Sequence, residues 1–283
     1  MVLQKPQSYP LSLSQKASVY YHNIFNYPLA KDELYKWSVS LKYVSILHSP
    51  LFIQNKSGYF FVSGRHELIQ IRLQNEKYSQ KKLNIAKKAS LVLKKIPTIK
   101  FVGLTGSLAM KNAKKNSDID LMIVTQKGTL WATRLIAFLL LLIKNFKLRR
   151  FNVKDEKDKL CINIWLDEDD LIWEKKNIFT AHELAQIIPL VNKNKIYEKL
   201  LYKNKWILNF WPNSVKIPAR LSYEVAGGKK WTLLENLAFK LQYLYMKSKI
   251  TNETVTPTRA LFHPANWSNK VASKLNSGLK NNP

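Results

Sequence analysis

Apolar residues recur every three or four positions through the first 47 residues of the chain, a spacing that is typical of helices. The pattern predicts three helices, at residues 12–27, 31–39 and 41–47. Pro28 ends the first of them, because the residue before a proline avoids the helical conformation. Two apolar runs then enclose four polar residues, which predicts a hairpin with strands at 51–54 and 59–62 and a turn at 55–58.

The order of three helices and a hairpin resembles a winged helix-turn-helix over about residues 12–65, and we place a winged-helix-like domain at 1–66. Its recognition helix would present Lys42, Ser45 and His48 as polar groups, which is little for reading bases. A small packing or protein-interaction domain is the alternative interpretation of the same layout.

The remaining chain predicts an α/β (α+β) fold with a small mixed sheet. A basic helical stretch at 67–96 carries an apolar stripe, with Lys81, Lys82 and other lysines mostly on its other faces. Short apolar runs at 101–104, 121–124 and 160–166 predict strands, and the nearly apolar segment 130–144 predicts a central helix. Residues 181–283 have mostly helical patterns, and 273–283 have the composition of a disordered tail.

The segment Gly106–Asp120, GSLAMKNAKKNSDID, carries the most specific chemical pattern. Asp118 and Asp120 are two residues apart at the start of an apolar strand, so both carboxylates point to one face. Two such carboxylates repel each other, and a divalent cation such as Mg²⁺ or Mn²⁺ is their natural counter-charge. Gly106 permits a sharp turn, after which the N–H groups that open a short helix predict an anion site near Ser107.

An apolar strand, Gly-Ser, about ten residues and then Asp-x-Asp in a second apolar strand resemble the signature of the nucleotidyltransferase superfamily that includes DNA polymerase beta. The resemblance implies that Gly106 and Ser107 hold the phosphates of a nucleoside triphosphate, such as ATP. It implies that Asp118 and Asp120 bind Mg²⁺ or Mn²⁺. The nucleotidyltransferase core would occupy residues 67–180, with a leading linker helix, and be followed by a C-terminal helical region at 181–283.

A third acid is usual in that superfamily on a neighbouring strand, and here the matching position holds Asn163. An amide oxygen can bind a metal, but it cannot accept a proton as a base. We include Asn163 among the candidate catalytic residues, and Asp167 at the end of the strand is a possible substitute. Other acids lie before and after the strand, at Asp155, Glu156, Asp158 and Asp169–Asp170. Cys161 in the same strand is interpreted as a small core residue.

The formal net charge of +27 suggests non-specific binding of nucleic acid. Of the 46 basic residues, however, 39 are lysine, and compositional bias explains the charge equally well. One cysteine permits no disulfide framework, and residues 1–10 do not resemble a signal peptide, so we expect a cytoplasmic location. The longest apolar run, 135–143, is too short to span a membrane.

These observations predict a Mg²⁺-dependent transferase that moves a nucleoside monophosphate from a nucleoside triphosphate to an unidentified acceptor: a protein, a small molecule or an RNA end. The alternative is a catalytically impaired protein of the same fold that binds nucleic acid or regulates a partner. The C-terminal helices could frame the acceptor pocket. His182, Glu183 and His263 do not have the spacing of metal ligands, and we interpret them as surface or capping residues.

Overall fold

The computed structural model describes residues 10–46, 52–149, 155–221, 232–248, 250–251, 253–262 and 267–277. Its first part is a small helical unit with a three-stranded antiparallel sheet in the order β1-β3-β2. The elements are α1 (Leu13–Asn23), β1 (Leu29–Ala30), α2 (Lys31–Lys36), a 3₁₀ helix (Leu41–Ile46), β2 (Ile53–Lys56) and β3 (Tyr59–Val62). Ser12 begins α1 with a capping box, in which its side chain and that of Gln15 bond each other's backbone N–H groups.

The hairpin differs from the prediction in its turn. Strand β2 begins and ends two residues later than expected. The turn therefore consists of Ser57 and Gly58, both of which have positive φ angles. This is the geometry of a two-residue hairpin turn that matches the twist of its strands. Lys42 is exposed on the 3₁₀ helix, whereas His48 lies outside the described residues. The resemblance to a winged helix therefore stays a prediction.

A 28-residue helix, α3 (Glu67–Lys94), connects this unit with the central sheet. The sequence suggested that the polar residues of this helix face solvent. Arg72 and Lys82, however, are only 6% and 1% exposed. Arg72 bonds Glu33 and the carbonyl of Pro28, so it ties α3 to the first unit. Buried charges of this kind are tolerated only with such partners.

The central sheet has six strands in the order β7-β4-β5-β6-β9-β8. Only β5 and β6 run parallel, which confirms the predicted mixed sheet and α/β fold class. The elements are β4 (Ile99–Leu104), α4 (Gly106–Ala109), β5 (Ile119–Thr125), α5 (Leu130–Ile143), β6 (Leu160–Asp167), α6 (Ile178–Ala185), β7 (Ile188–Asn192), α7 (Ile196–Lys203), α8 (Ile207–Phe210), α9 (Thr232–Lys247), β8 (Thr254–Val255), β9 (Arg259–Leu261) and α10 (Trp267–Ser277).

Strands β7, β8 and β9 come from the C-terminal segment that the sequence indicated as helical. A boundary at residue 180 would thus divide one hydrogen-bonded sheet between the core at 67–180 and the C-terminal region at 181–283. The division into three domains stays a proposal. Residues 273–277 form the end of α10, so this part of the expected disordered tail is helical. Residues 278–283 lie outside the described residues.

Two hydrophobic clusters cover the two faces of the sheet. Met122 and Val124 of β5 pack in the cluster that includes α1 and α6, whereas Leu121 and Ile123 pack in the cluster with α3, α5 and α9. Because side chains alternate along a strand, the even-numbered positions of β5 face α1 and α6. Within the described ranges, every helix is either too short or too polar to cross a lipid bilayer.

Candidate functional site

The predicted residues meet where β4 ends and where β5 and β6 begin. Strand β4 runs antiparallel to β5 and leads directly into Gly106, while the backbone N–H of Thr105 bonds the carbonyl of Asp120. Strand β6 starts beside β5, with Cys161 opposite Asp120. The topology therefore gathers the Gly-Ser turn, the two aspartates and the start of β6 at one end of the sheet.

Gly106 and Asp120 are in direct contact. Gly106 has a φ of 62°, and a Cβ atom at this position would collide with Oδ2 of Asp120. Glycine is thus required at position 106 for two reasons: the backbone is left-handed there, and no space remains for a side chain. Ser107 follows as an exposed residue, and its carbonyl accepts a 2.9 Å hydrogen bond from the N–H of Asn112, which closes the loop.

Asp118 and Asp120 form a group of potential metal ligands with Cys161. One ligand atom from each of the three residues lies within 4.8 Å of those of the others. Burial, followed by the negative charge of Asp118, raises the pKa of Asp120 to about 7. The carboxylates therefore repel each other without a cation, as the sequence predicted.

Asn163 lies beside Asp120, where the sequence analysis located the third acid. Leu121 pairs with Ile162 and Met122 with Ile164, so Asn163 is the extra residue of a β-bulge. Bulges next to active sites commonly redirect a side chain. The side-chain nitrogen of Asn163 donates a 2.7 Å hydrogen bond to Oδ1 of Asp120, and its own buried Oδ1 has no partner among the described residues.

The donor set fits a hard divalent cation. Two carboxylates and an unsatisfied amide oxygen are the ligand types that Mg²⁺ and Mn²⁺ prefer. Cys161 adds a softer sulfur, but burial raises the pKa of its thiol, and a neutral thiol is a poor ligand. Cys161 is partly exposed beside the aspartates and is not merely the core residue that its strand suggested.

Arg149 supplies a positive charge that the sequence analysis did not identify. Its Nη1 lies 2.7 Å from Oδ2 of Asp118, and its Nη2 pairs with Glu156. The N–H of Arg149 bonds the carbonyl of Leu160, which fixes this segment along β6. No pattern in the charged loop before β6 distinguishes this arginine from its neighbours.

Asp167 and Asp158, two of the acids considered as substitutes for Asn163, have other partners. Asp167 is opposite Thr125, at the far end of the strand pair, and accepts hydrogen bonds from the N–H groups of Gly128 and Asp169. Asp158 is paired with Lys81 and Lys82. Asp167 and Asp158 thus hold loops in place. Asp167 does not occupy the position beside Asp120 where a third acid was expected.

Helix α6 contributes an acid that sequence reasoning placed on the surface. Glu183 accepts a 2.7 Å hydrogen bond from Nε2 of Gln186, and the same nitrogen lies 3.3 Å from the carbonyl oxygen of Gly106. Burial, and then the charge of Asp120, raises the pKa of Glu183 to about 7. In the sequence, Glu183 lies between the apolar residues Ala181 and Leu184, both of which are buried. This position was a signal that could have identified Glu183 as an acid that is not fully exposed.

His182 is also buried, and its predicted surface role is wrong. Its Nε2 lies 3.1 Å from Nε2 of His22 in α1, inside a cluster of aromatic rings that includes Trp37 and Trp211. Burial lowers the pKa of both histidines, that of His22 to about 4. The neutral pair thus joins α1 to α6, next to Glu183.

Among the helices of the C-terminal segment, which we expected could frame the acceptor pocket, α9 packs on the opposite face of the sheet. Both carboxylate oxygens of Glu235 accept hydrogen bonds from the first turn of α5, from the N–H groups of Trp131 and Ala132. That turn follows the end of β5 that is remote from Asp120. The hydrophobic cluster on the face of the sheet that carries Asp120 contains α1 and α6 instead.

Residues 87–178, which include the Gly-Ser turn, both aspartates and β6, match the protein-family model described as polymerase beta, nucleotidyltransferase. Comparisons with curated proteins and with solved structures gave no significant match. The matched segment contains the strand, turn and Asp-x-Asp arrangement on which the sequence resemblance was based. This match supports the resemblance of residues 87–178 to the nucleotidyltransferase superfamily.

Proposed function

We propose that the protein transfers a nucleoside monophosphate from a nucleoside triphosphate to an acceptor hydroxyl. The contact between Gly106 and Asp120 is the observation that carries the proposal, because it joins the phosphate-binding turn of the superfamily to a carboxylate without space for a side chain between them. A turn that served only to connect β4 to β5 would not need this close approach.

In this proposal Asp118 and Asp120 hold Mg²⁺ or Mn²⁺, with the free oxygen of Asn163 as a further donor. The bound cation would neutralise charge on the triphosphate where the nucleotidyl group is transferred. Ser107 donates its hydroxyl to the phosphates, and the Gly106 backbone allows them to approach. With a cation held by Asp118, Arg149 would be free to pair with phosphate oxygens instead.

A catalytically impaired protein of this fold is the second candidate. Two observations favour it: Asn163 replaces the usual acid, and the guanidinium of Arg149 already supplies a counter-charge to Asp118. Such a protein would bind nucleic acid through its excess of lysine or regulate a partner in the cytoplasm. Its affinity for nucleic acid would fall steeply with salt and depend little on sequence.

One experiment separates the two candidates. The pure protein is incubated with Mg²⁺, each α-³²P-labelled nucleoside triphosphate and a total cell extract, and labelled products are sought in the protein, RNA and small-molecule fractions. The variant Asp118→Asn/Asp120→Asn should lose both Mg²⁺-dependent nucleotide binding and labelling, while Asp155→Asn, which removes an exposed acid, should keep both. Nucleotide affinity that withstands EDTA and the double substitution would show that the site is wrongly assigned.

A further inference from the structure

Glu183 is a half-buried acid without a positive partner among the described residues. Among the residues that the structure describes, no basic side chain forms an ion pair with it. Its carboxylate accepts a hydrogen bond from Gln186, a neutral amide. A carboxylate in such surroundings lowers the stability of the fold, and perturbed acids of this kind concentrate at functional sites.

The position of Glu183 is defined by a short chain of contacts. Gln186 bonds both Glu183 and the carbonyl of Gly106, and Gly106 in turn lies against Asp120. The charge of Asp120 also acts on Glu183 strongly enough to raise its pKa. Glu183 therefore borders the Gly-Ser turn on the side of α6.

Tyr21 of α1 packs against α6 and carries a hydroxyl without a partner among the described residues. Its side chain is 1% exposed, and its hydroxyl has no hydrogen-bond partner among the described residues. The ring lies 5.2 Å from that of His182, the neighbour of Glu183 in α6, and the charge of Glu183 contributes to a raised pKa of Tyr21. Buried hydroxyls are rarely left without a partner, so this hydroxyl is available to a polar group of a ligand.

We propose that Glu183 and Tyr21 form the acceptor subsite and that Glu183 removes the proton of the acceptor hydroxyl. The inference rests on the proposed function. As the acceptor oxygen bonds to the α-phosphorus, its O–H bond breaks and the proton passes to the Glu183 carboxylate. The bond from the α-phosphorus to the bridging oxygen breaks, and pyrophosphate leaves with that electron pair. Glu183 then releases the proton to water, and Tyr21 binds the acceptor through its hydroxyl.

This subsite favours one class among the three acceptors left open by the sequence. Among the described residues no basic side chain pairs with Glu183, so the subsite offers no cation that would bind a phosphate next to the acceptor hydroxyl. A small molecule or a protein side chain with an uncharged or amino-bearing hydroxyl group fits, whereas an RNA end does not. The acid that β6 lacks is thus supplied from α6, on the opposite side of the Gly-Ser turn.

Two conservative substitutions in the full chain test the subsite. Glu183→Gln keeps the shape and removes the base, and Tyr21→Phe keeps the ring and removes the hydroxyl. The matched controls are Glu174→Gln and Tyr35→Phe, whose side chains are exposed. Three quantities are measured: affinity for Mg²⁺-ATP, release of pyrophosphate from ATP with water as acceptor, and labelling of the protein, RNA and small-molecule fractions of a cell extract by α-³²P ATP.

We expect Glu183→Gln to slow pyrophosphate release and labelling about 100-fold or more, the scale of a lost general base, with ATP affinity changed less than about twofold. Tyr21→Phe should raise the KM for the labelled acceptor fraction and leave ATP affinity unchanged. Both variants should unfold at the wild-type temperature or above, because Glu183→Gln removes a charge that has no counter-ion and Tyr21→Phe removes a buried hydroxyl that has no partner among the described residues. A purely structural role would instead lower stability and activity together.

Wild-type rates in Glu183→Gln would overturn the inference and leave the proposed function intact. Parallel losses of stability and activity in both variants would also overturn it, since the groups would then support the fold. Labelling confined to the RNA fraction would contradict the acceptor class. A wild-type protein that neither binds Mg²⁺-ATP nor releases pyrophosphate would contradict the proposed function itself, and the acceptor subsite with it.

Discussion

The side-chain nitrogen of Asn163 lies 2.7 Å from Oδ1 of Asp120, so an amide occupies the place beside Asp120 where the sequence analysis located the third acid. The contact has two consequences. It stabilises the ionised form of Asp120, whose pKa burial and Asp118 raise. It also leaves the oxygen of Asn163 without a partner among the described residues. The amide thus lowers the repulsion that a third carboxylate would add at this position.

Asn163→Asp should therefore make stability depend on a divalent cation. Without metal, a new carboxylate against Asp120 should lower the free energy of unfolding by about 1–3 kcal/mol at pH 8, because two like charges face each other with little water. Addition of Mg²⁺ or Mn²⁺ should restore more stability than in the wild type. The unfolding temperature with and without metal measures both effects, and Asn145→Asp, an exposed substitution, is the control.

Activity of this variant gives separate information. If Glu183 is the base, Asn163→Asp should change the transfer rate only modestly, because the proton already has an acceptor. A large gain in rate would indicate that the chain lacks a working base and would favour the impaired protein. An equal loss of stability with and without metal would show that position 163 does not face the cation.

Much of the site could be predicted from the sequence because its residues are local. Gly106, Ser107, Asp118 and Asp120 lie within 15 residues, and the periodicity of one strand is sufficient to put both carboxylates on one face. The mixed sheet followed in the same way from apolar runs. Asn163 was located correctly beside Asp120 because only one apolar run after the Asp-x-Asp strand was a suitable neighbour.

The other residues depend on contacts that no local pattern encodes. Glu183 reaches the site because β7, which follows α6, pairs with β4 and brings Gln186 to Gly106. Tyr21 comes from more than 80 residues before the Gly-Ser turn. The helical stripe of α9 was visible in the sequence, but a stripe does not specify which face of a sheet its helix covers. The missing information is thus the order of strands and the side on which each connection crosses.

The histidine pair predicts how stability changes with pH. His22 has a pKa of about 4 in the folded protein and about 6.5 when unfolded, so the unfolded chain binds more protons between these values. Its contribution to stability should be complete above pH 6.5 and be lost as pH falls towards 4, by about 3 kcal/mol at most. The pKa of His182 is also lowered, which adds a loss of the same sign.

Asp120 and Glu183 act in the opposite sense, because their raised pKa values make the folded protein bind protons first as pH falls through 7. Comparison of the wild type with His22→Gln cancels the contribution of Asp120 and Glu183, because both acids are present in both proteins. Between pH 6.5 and 4.5, the free energy of unfolding of the variant should fall less steeply than that of the wild type. The difference between the two slopes should correspond to the uptake of about one proton on unfolding. Substitution of the exposed His66 is the control, and equal slopes in all three proteins would contradict the prediction.

Lys82 and Lys81 offer a matched test of how α3 holds the loop before Asp118. Both ammonium groups pair with Asp158, at 2.7 and 3.0 Å, but Lys82 is buried and also bonds the carbonyl of Ser117, whereas Lys81 is largely exposed. Lys82→Met should lower the free energy of unfolding by about 3–5 kcal/mol, because Asp158 loses its buried partner. Lys81→Met should change it by less than about 1 kcal/mol.

Denaturant unfolding and Mn²⁺ binding, measured on both lysine variants, separate stability from site geometry. A weaker affinity for Mn²⁺ in Lys82→Met under conditions where the variant is fully folded would indicate that the loop orients Asp118. Equal stabilities of the two variants would show instead that the buried lysine contributes no more than the surface one.

Gly106 and Gly128 allow the steric requirement at the Gly-Ser turn to be separated from backbone strain. Both have left-handed φ angles, 62° and 66°, so alanine costs about 1–2 kcal/mol of strain at either position. At Gly128 nothing lies within 4 Å of an added Cβ atom, whereas at Gly106 that atom collides with the carboxylate of Asp120. Gly106→Ala should therefore cost about 2–5 kcal/mol in total, since overpacking adds to the strain.

The two alanine variants should differ still more in function. Displacement of Asp120 in Gly106→Ala should weaken Mn²⁺ and Mg²⁺-ATP binding by about tenfold or more, the equivalent of a single charged hydrogen bond. Gly128→Ala should bind both ligands as the wild type does, because its turn lies at the other end of β5. Isothermal titration of the folded variants measures these affinities. Equal losses in the two variants would assign the effect to general destabilisation and remove the contact between Gly106 and Asp120 as support for a nucleotide site.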